Sequence, residues 1–138
     1  MHNGNDDLLD AKTIQKKVKS LAHQLGREDF TIASRPRGDG SPYIEVGDAY
    51  YFIVEERGVE LERRKTGDLD ELLYWAMRAL TFSLSWEYEL RNRSEGADSR
   101  RQAFAKELEL PELLSPAWAK RRGAEYEEIL RTNPFHDS

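Results

Sequence analysis

From Asp68 to Arg93 the chain reads "DLDELLYWAMRALTFSLSWEYELRNR", without a glycine or a proline. Between Leu72 and Trp86 the only charged side chain is Arg78. A run of this length and spacing predicts a helix, and apolar residues on every side of it predict a central helix packed against several elements. Asp68 followed by Glu71 supplies an acidic N-terminal capping signature. The rest of the fold has to be arranged around this helix.

Upstream, Leu8, Ala11, Ile14, Val18, Leu21, Ala22 and Leu25 recur at helical intervals, which predicts an amphipathic helix over 7–25 closed by Gly26. "FTIAS" (30–34) alternates as a short strand, and "RPRGDGSP" (35–42) is a turn-rich loop. The following "YIEVGDAYYFIVEERGVELERR" predicts a three-stranded antiparallel meander. A two-residue turn at Gly47-Asp48 would pair Val46 with Ala49 and Ile44 with Tyr51. A three-residue loop at Glu56-Arg57-Gly58 would pair Glu55 with Val59 and Ile53 with Leu61. Register fixes faces: Ile44, Val46, Tyr51, Ile53, Val59 and Leu61 would share one, and Tyr43, Glu45, Tyr50, Phe52, Val54, Glu60, Glu62 and Arg64 the other.

Beyond the long helix, Gly96 is a break. Asp98 or Ser99 is then a helix cap, with Ser99 and Gln102 spaced as a capping box, and Ala103, Phe104, Leu108 and Leu110 face inward. Pro111 interrupts, and Ser115-Pro116 restarts a helix that carries Trp118, Arg122, Tyr126 and Ile129 on one side. The fold class is α+β: an N-terminal helix, a small antiparallel sheet of about four strands, the long central helix, and two or three further helices. One domain over 1–138 is expected, with 1–6 and 133–138 frayed.

Chemistry is sparse. There is no cysteine, so disulfides and thiolate chemistry are excluded. His2, His23 and His136 are isolated, which gives no metal-ligand spacing, and no cofactor is expected. Glu87 and Glu89 lie two apart and diverge by roughly 200° on a helix, so they cannot work on one substrate. No G-x-S-x-G elbow occurs, and "RGDGSP" does not lead into a helix as a phosphate cradle would. The chain is not expected to be an enzyme. Charged residues make up 34% with a net charge of -5, which argues against nucleic-acid binding. No segment is apolar enough to span a membrane, and the polar N-terminus lacks a secretory pattern; a soluble, cytoplasmic monomer or weak homodimer is expected.

Two clusters remain. "SWEYELR" (85–91) and "DSRR" (98–101) predict a structural ion-pair motif in which Arg100 or Arg101 reaches back to Glu87 or Glu89, with Asp98 at the helix start. The sheet face with Tyr43, Glu45, Tyr50, Phe52, Glu60 and Glu62 mixes aromatic anchors with acids, as protein-binding surfaces do. Its alternative is that a helix covers Tyr50 and Phe52 and the acids only line the rim.

"YELRNR" (88–93), "DSRR", Phe104, "SPAWAKR" (115–121) and "ILRTNPFHD" (129–137) together resemble the immunity-protein-sixty-three family of bacterial polymorphic-toxin systems. Glu107 and the Leu110-Pro111-Glu112 interruption depart from the pattern. The resemblance implies a non-enzymatic protein that binds and neutralises a cognate toxin domain. A nuclease toxin would have a basic cleft, which the acidic-aromatic sheet face would suit. The other reading is a small adaptor or regulatory domain without a toxin. Under the immunity reading, specificity is expected on the sheet face or the 35–42 loop.

Overall fold

The computed structural model describes residues 8–138. It is α+β, with α1 (Ala11–Gln24), strands β1 (Asp39–Val46), β2 (Tyr50–Glu56) and β3 (Val59–Thr66), then α2 (Leu69–Arg91), α3 (Arg100–Glu112) and α4 (Pro116–Thr132). The chain divides into two compact units, one ending at Ala79 and one beginning at Leu80, so the boundary falls inside α2. The expected fraying of 1–6, and Asp7 as the first residue of the predicted helix, lie outside the described residues.

In the first unit, α1 starts later than the apolar spacing suggests, because the Asp10 carboxylate caps it by accepting from the Thr13 amide at 2.8 Å. It ends as expected at Gly26, whose φ of 76° is left-handed. The Gly26 and Arg27 amides donate to His23 and Ala22 carbonyls, the paired bonds of a Schellman ending.

The sheet has three strands in the order β1-β2-β3, not four. The segment expected as a strand at 30–34 makes only an isolated parallel bridge, Ala33 to Tyr43. Its backbone is satisfied otherwise: Gln15 of α1 accepts from the Ile32 amide at 2.9 Å and donates to the Ile32 carbonyl at 2.5 Å. One side-chain amide thus takes the place of a neighbouring strand and leaves Ile32 buried. The 35–42 stretch is only partly loop, since β1 already begins at Asp39 across an irregularity between Asp39 and Pro42.

Both hairpins differ from the expected register. Val46 pairs with Tyr50 and Ile44 with Phe52, so the first connection is the three residues Gly47-Asp48-Ala49. Glu56 pairs with Val59, so the second is the two residues Arg57-Gly58, both with positive φ (51° and 79°), as a type I′ turn requires. The register then shifts between Val54 and Glu55, which leaves Leu61 as an unpaired bulge residue. A slip of one residue exchanges faces. Ile44, Val46, Tyr50, Phe52, Val54, Glu62 and Arg64 share one face. Tyr43, Glu45, Tyr51, Ile53, Glu55, Arg63 and Lys65 share the other, with Glu60 opposite Glu55.

The first of these faces packs against α2; on the second, Tyr43 and Ile53 are buried as well, and its exposed residues are Glu45, Arg63 and Lys65. The Tyr50 hydroxyl accepts from the Leu9 amide at 2.8 Å, and Phe52 lies against Trp75 of α2 at 6.2 Å between ring centroids. Arg64 sits over Trp75 at 5.7 Å and pairs with Glu62. In α2, Leu72, Tyr74, Trp75, Ala76 and Met77 are all buried, as its apolar run requires.

In the second unit the pattern changes. The buried residues of α2 beyond Leu80 are Thr81, Ser85 and Glu89, at i, i+4 and i+8, while Phe82 and Leu90 are exposed. The expectation of a helix buried all round fails here. In α3 the inward column is Ala103, Glu107 and Pro111, and Leu108 faces out. Pro111 does not interrupt α3, which runs one residue past it. In α4 the column is Trp118, Arg122 and Tyr126, while Ile129 is exposed. Ser115 caps α4 through the Trp118 amide, with Pro116 first in the helix, as the sequence predicts.

Candidate functional site

The two clusters predicted from the sequence resolve into different kinds of structure. The ion-pair motif is redistributed. Glu89 is buried and takes the Arg93 guanidinium at 2.8 Å, one turn further along its own helix end; this bond holds the Glu89 carboxyl below its ordinary pKa. Glu87 is exposed. Arg100 and Arg101 turn instead to the end of the chain. Arg100 binds Asp98 at 2.9 Å and donates to the carbonyls of Asn133 and Pro134 at 2.9 and 2.7 Å. Arg101 pairs with Asp137 at 2.8 Å and lies over the Phe135 ring at 4.3 Å.

The remaining bonds close a clasp. Asp98 accepts from the His136 amide at 2.8 Å and the Arg100 amide at 3.0 Å, and Asp137 accepts from the Asp98 amide at 2.8 Å. The Ser138 amide donates to the Gly96 carbonyl at 2.7 Å. These bonds tie residues of the 133–138 segment to the segment before α3. Arg100, then the two backbone amides, keep the Asp98 carboxyl well below the usual carboxylate range. Arg101 and the Asp98 amide lower Asp137 as well. The expected capping box does not form: Ser99 makes no side-chain cap bond, and Gln102 donates to the Asn92 carbonyl at 2.5 Å. Asp98 caps α3 in its place. These residues join the segment before α3 to the end of the chain.

The sheet-face set is split by the register. Tyr50 and Phe52 are 1% and 7% exposed, on the packed face with Glu62. Tyr43, Glu45 and Glu60 lie on the opposite face. Around them stand residues that the expected register sent elsewhere or left unassigned: Tyr51, Asp48, Arg63 and Lys65. Tyr51 is half-buried at the centre. Its hydroxyl donates to Asp48 at 2.6 Å, which holds the phenol's pKa above its ordinary value. Arg63 and Lys65 approach its ring at 5.5 and 5.8 Å. Arg63 pairs with Glu60 at 2.8 Å and with Glu45 at 3.8 Å, and Lys65 with Asp48 at 3.4 Å. The Arg63 hydrogen bond lowers the Glu60 pKa. Tyr43 is buried beside them and donates to Glu55 at 3.3 Å.

This face is not a free acidic field. Glu45, Asp48 and Glu60 already hold cations of their own sheet, so it presents a tyrosine ringed by compensated charges. The sequence signal for it was the basic run Arg63-Arg64-Lys65 set against Glu45 and Asp48, which only the correct turn lengths bring together.

Among the described residues, no group of three or more His, Cys, Asp or Glu side chains is placed to hold a metal ion, and no helix is long and apolar enough to cross a membrane. No curated protein and no solved structure matches the chain. The family model described as Immunity protein 63 matches residues 47–128, from the first hairpin connection through most of α4. The match takes in β2, β3, α2 and α3 as well as the motifs at 88–93, 98–101 and 115–121, and the clasp segment after Ile129 lies beyond it. Since the match covers more than half of its length, the chain belongs to the Immunity protein 63 family.

Proposed function

We propose that this chain binds a cognate toxin domain and neutralises it by covering its active site or an adjacent exosite. The observation that carries the reading is the family match over 47–128, which contains most of the exposed sheet face. The contact surface in this reading is the face of Glu45, Asp48, Tyr51, Glu60, Arg63 and Lys65. Tyr51 supplies apolar area at low entropic cost, and the surrounding ion pairs can re-pair with charges of a partner and reject a surface of the wrong pattern. Tyr50, Phe52 and Glu62 support this face from behind and do not touch the partner.

The compensated charge of the face favours recognition by pattern over general attraction to a basic cleft. The reading therefore does not depend on the toxin being a nuclease. Its test is co-expression with the toxin domain encoded beside this chain. Restored growth with the wild-type chain, lost with Tyr51→Ala, is the expected result. Failure of the wild-type chain to restore growth while it accumulates folded would leave the adaptor reading in its place.

A further inference from the structure

One end of the sheet carries features that folding alone does not explain. Val59 and Leu61 fit the alternation of a buried face, yet they are 60% and 59% exposed. They lie on β3, the strand that ends the sheet, and Leu61 is the bulge residue. Next to them, Arg57 has a φ of 51°, the left-handed region, where among the described residues every other occupant is a glycine. A non-glycine residue there costs stability. The first position of a type I′ turn would be better served by Asn, Asp or Gly. The arginine side chain is exposed and forms no ion pair among the described residues.

The Arg57 amide donates to the Gly38 carbonyl at 3.1 Å. This sets the turn beside the loop that carries Arg35 and Arg37, also exposed and also in no ion pair among the described residues. Two acids stand nearby. Asp39 is engaged by the Ser41 amide and hydroxyl at 3.0 and 2.5 Å, and Glu56 is exposed opposite it. The tip thus combines two exposed aliphatic side chains with guanidinium groups left available. Arginine and apolar anchors of this kind dominate protein interfaces.

We infer that the Arg57–Leu61 tip, with Arg35 and Arg37, is a second contact that seats an apolar patch bordered by carboxylates on a protein partner. The inference rests on the immunity reading, and the partner is the toxin domain itself. A duplex of DNA or RNA is the disfavoured occupant, because a chain of net charge -5 opposes a polyanion beyond the tip. The guanidinium groups would then steer and orient the complex while Val59 and Leu61 anchor it.

The test titrates a catalytically inactivated toxin domain, encoded beside this chain, against three proteins at low and high salt. These are the wild type, R35E/R37E/R57E and V59S/L61S, each checked for an unchanged melting profile. The expected result is a loss of affinity of about 100-fold or more for the charge reversal and about 10-fold or more for the serine pair. The salt dependence of the wild type should flatten in the charge-reversed protein. Tight binding by the wild type with both variants within about twofold of it overturns the tip and leaves the immunity reading standing. No binding by the wild type overturns both. If the charge reversal instead abolishes binding of a labelled DNA duplex that the wild type holds, the carboxylate-bearing partner is the wrong occupant.

Discussion

The Arg122 guanidinium donates to the Glu107 carboxylate at 2.8 Å, with the two side chains 6% and 0% exposed. It also binds Glu125 and the Tyr126 hydroxyl, each at 2.7 Å, and lies over the Tyr126 ring at 4.4 Å. Tyr126 in turn stacks on Phe104 at 3.9 Å. Burial pushes the Arg122 pKa down, but hydrogen bonds and charge from Glu125 and Glu107 outweigh it and leave the pKa raised. The packing of α3 on α4 therefore turns on a compensated charge pair set among apolar contacts.

Removing one partner strands the other. Arg122→Met leaves Glu107 buried without this cation and should lower unfolding free energy by roughly 3–5 kcal/mol. The double variant Glu107→Leu/Arg122→Met should recover much of that loss, because the fully buried carboxylate is then removed together with its cation. Urea denaturation of the singles and the double checks this. A double variant as unstable as the sum of its singles would contradict it.

The register makes neighbours in sequence behave oppositely. Phe52→Ala empties a packed site against Trp75 and should cost about 3–5 kcal/mol. Tyr51→Ala, half-buried on the opposite face, should cost less stability and instead weaken toxin binding by about tenfold or more. Thermal melts and binding titrations of the two variants separate the effects. The reverse pattern would restore the register expected from a two-residue first turn.

The clasp responds to acid. Asp98 and Asp137 have folded pKa values depressed below their ordinary ones. Their contribution to stability is present above the usual carboxylate range and is lost as pH falls through the depressed folded values. Stability measured from pH 7 downward should hold to about pH 4 and then decline. Asp98→Asn should be less stable at neutral pH and show a shallower acid limb. Arg101→Ala should lower the melting temperature and free the 133–138 segment to proteolysis. An acid limb identical to that of the wild type in Asp98→Asn would exclude the clasp as its source.

Arg57 trades stability for contact. Asn tolerates the left-handed region better than Arg, so Arg57→Asn should stabilise the chain by up to about 1 kcal/mol while weakening the toxin complex. A destabilised Arg57→Asn protein would remove the argument that the arginine is kept at a cost to the fold.

Much of the architecture was legible because it rests on local signals. The Gly26 ending of α1, the Ser115-Pro116 start of α4 and the Asp68 start of α2, whose carboxylate accepts from the Asp70 amide at 3.0 Å, follow from residue types at fixed offsets. The sheet was harder. Gly47-Asp48 satisfies a two-residue turn as well as Gly47-Asp48-Ala49 satisfies a three-residue one, and one residue of difference exchanged Tyr50 with Tyr51. The fourth strand failed because a single side chain, Gln15, took over the bonds a strand would have made. The buried pair had a readable signal in one charged residue on each apolar column, Glu107 between Ala103 and Pro111 and Arg122 between Trp118 and Tyr126. The α4 column was read from the sequence, whereas the polarity of Glu107 hid the α3 column from a search for apolar periodicity. The pairing of Arg101 with Asp137 joins residues far apart in sequence, and no spacing rule reaches that distance.

We propose that this Immunity protein 63 family member acts by binding a toxin domain through the sheet face around Tyr51. Its most direct test is a calorimetric titration of the purified, catalytically inactivated toxin domain encoded beside this chain, run against wild type and Tyr51→Ala. The expected result is a one-to-one complex with the wild type, weakened by about tenfold or more in Tyr51→Ala with its melting profile kept. A folded wild-type chain that forms no complex, or a complex that Tyr51→Ala leaves unchanged, would contradict it.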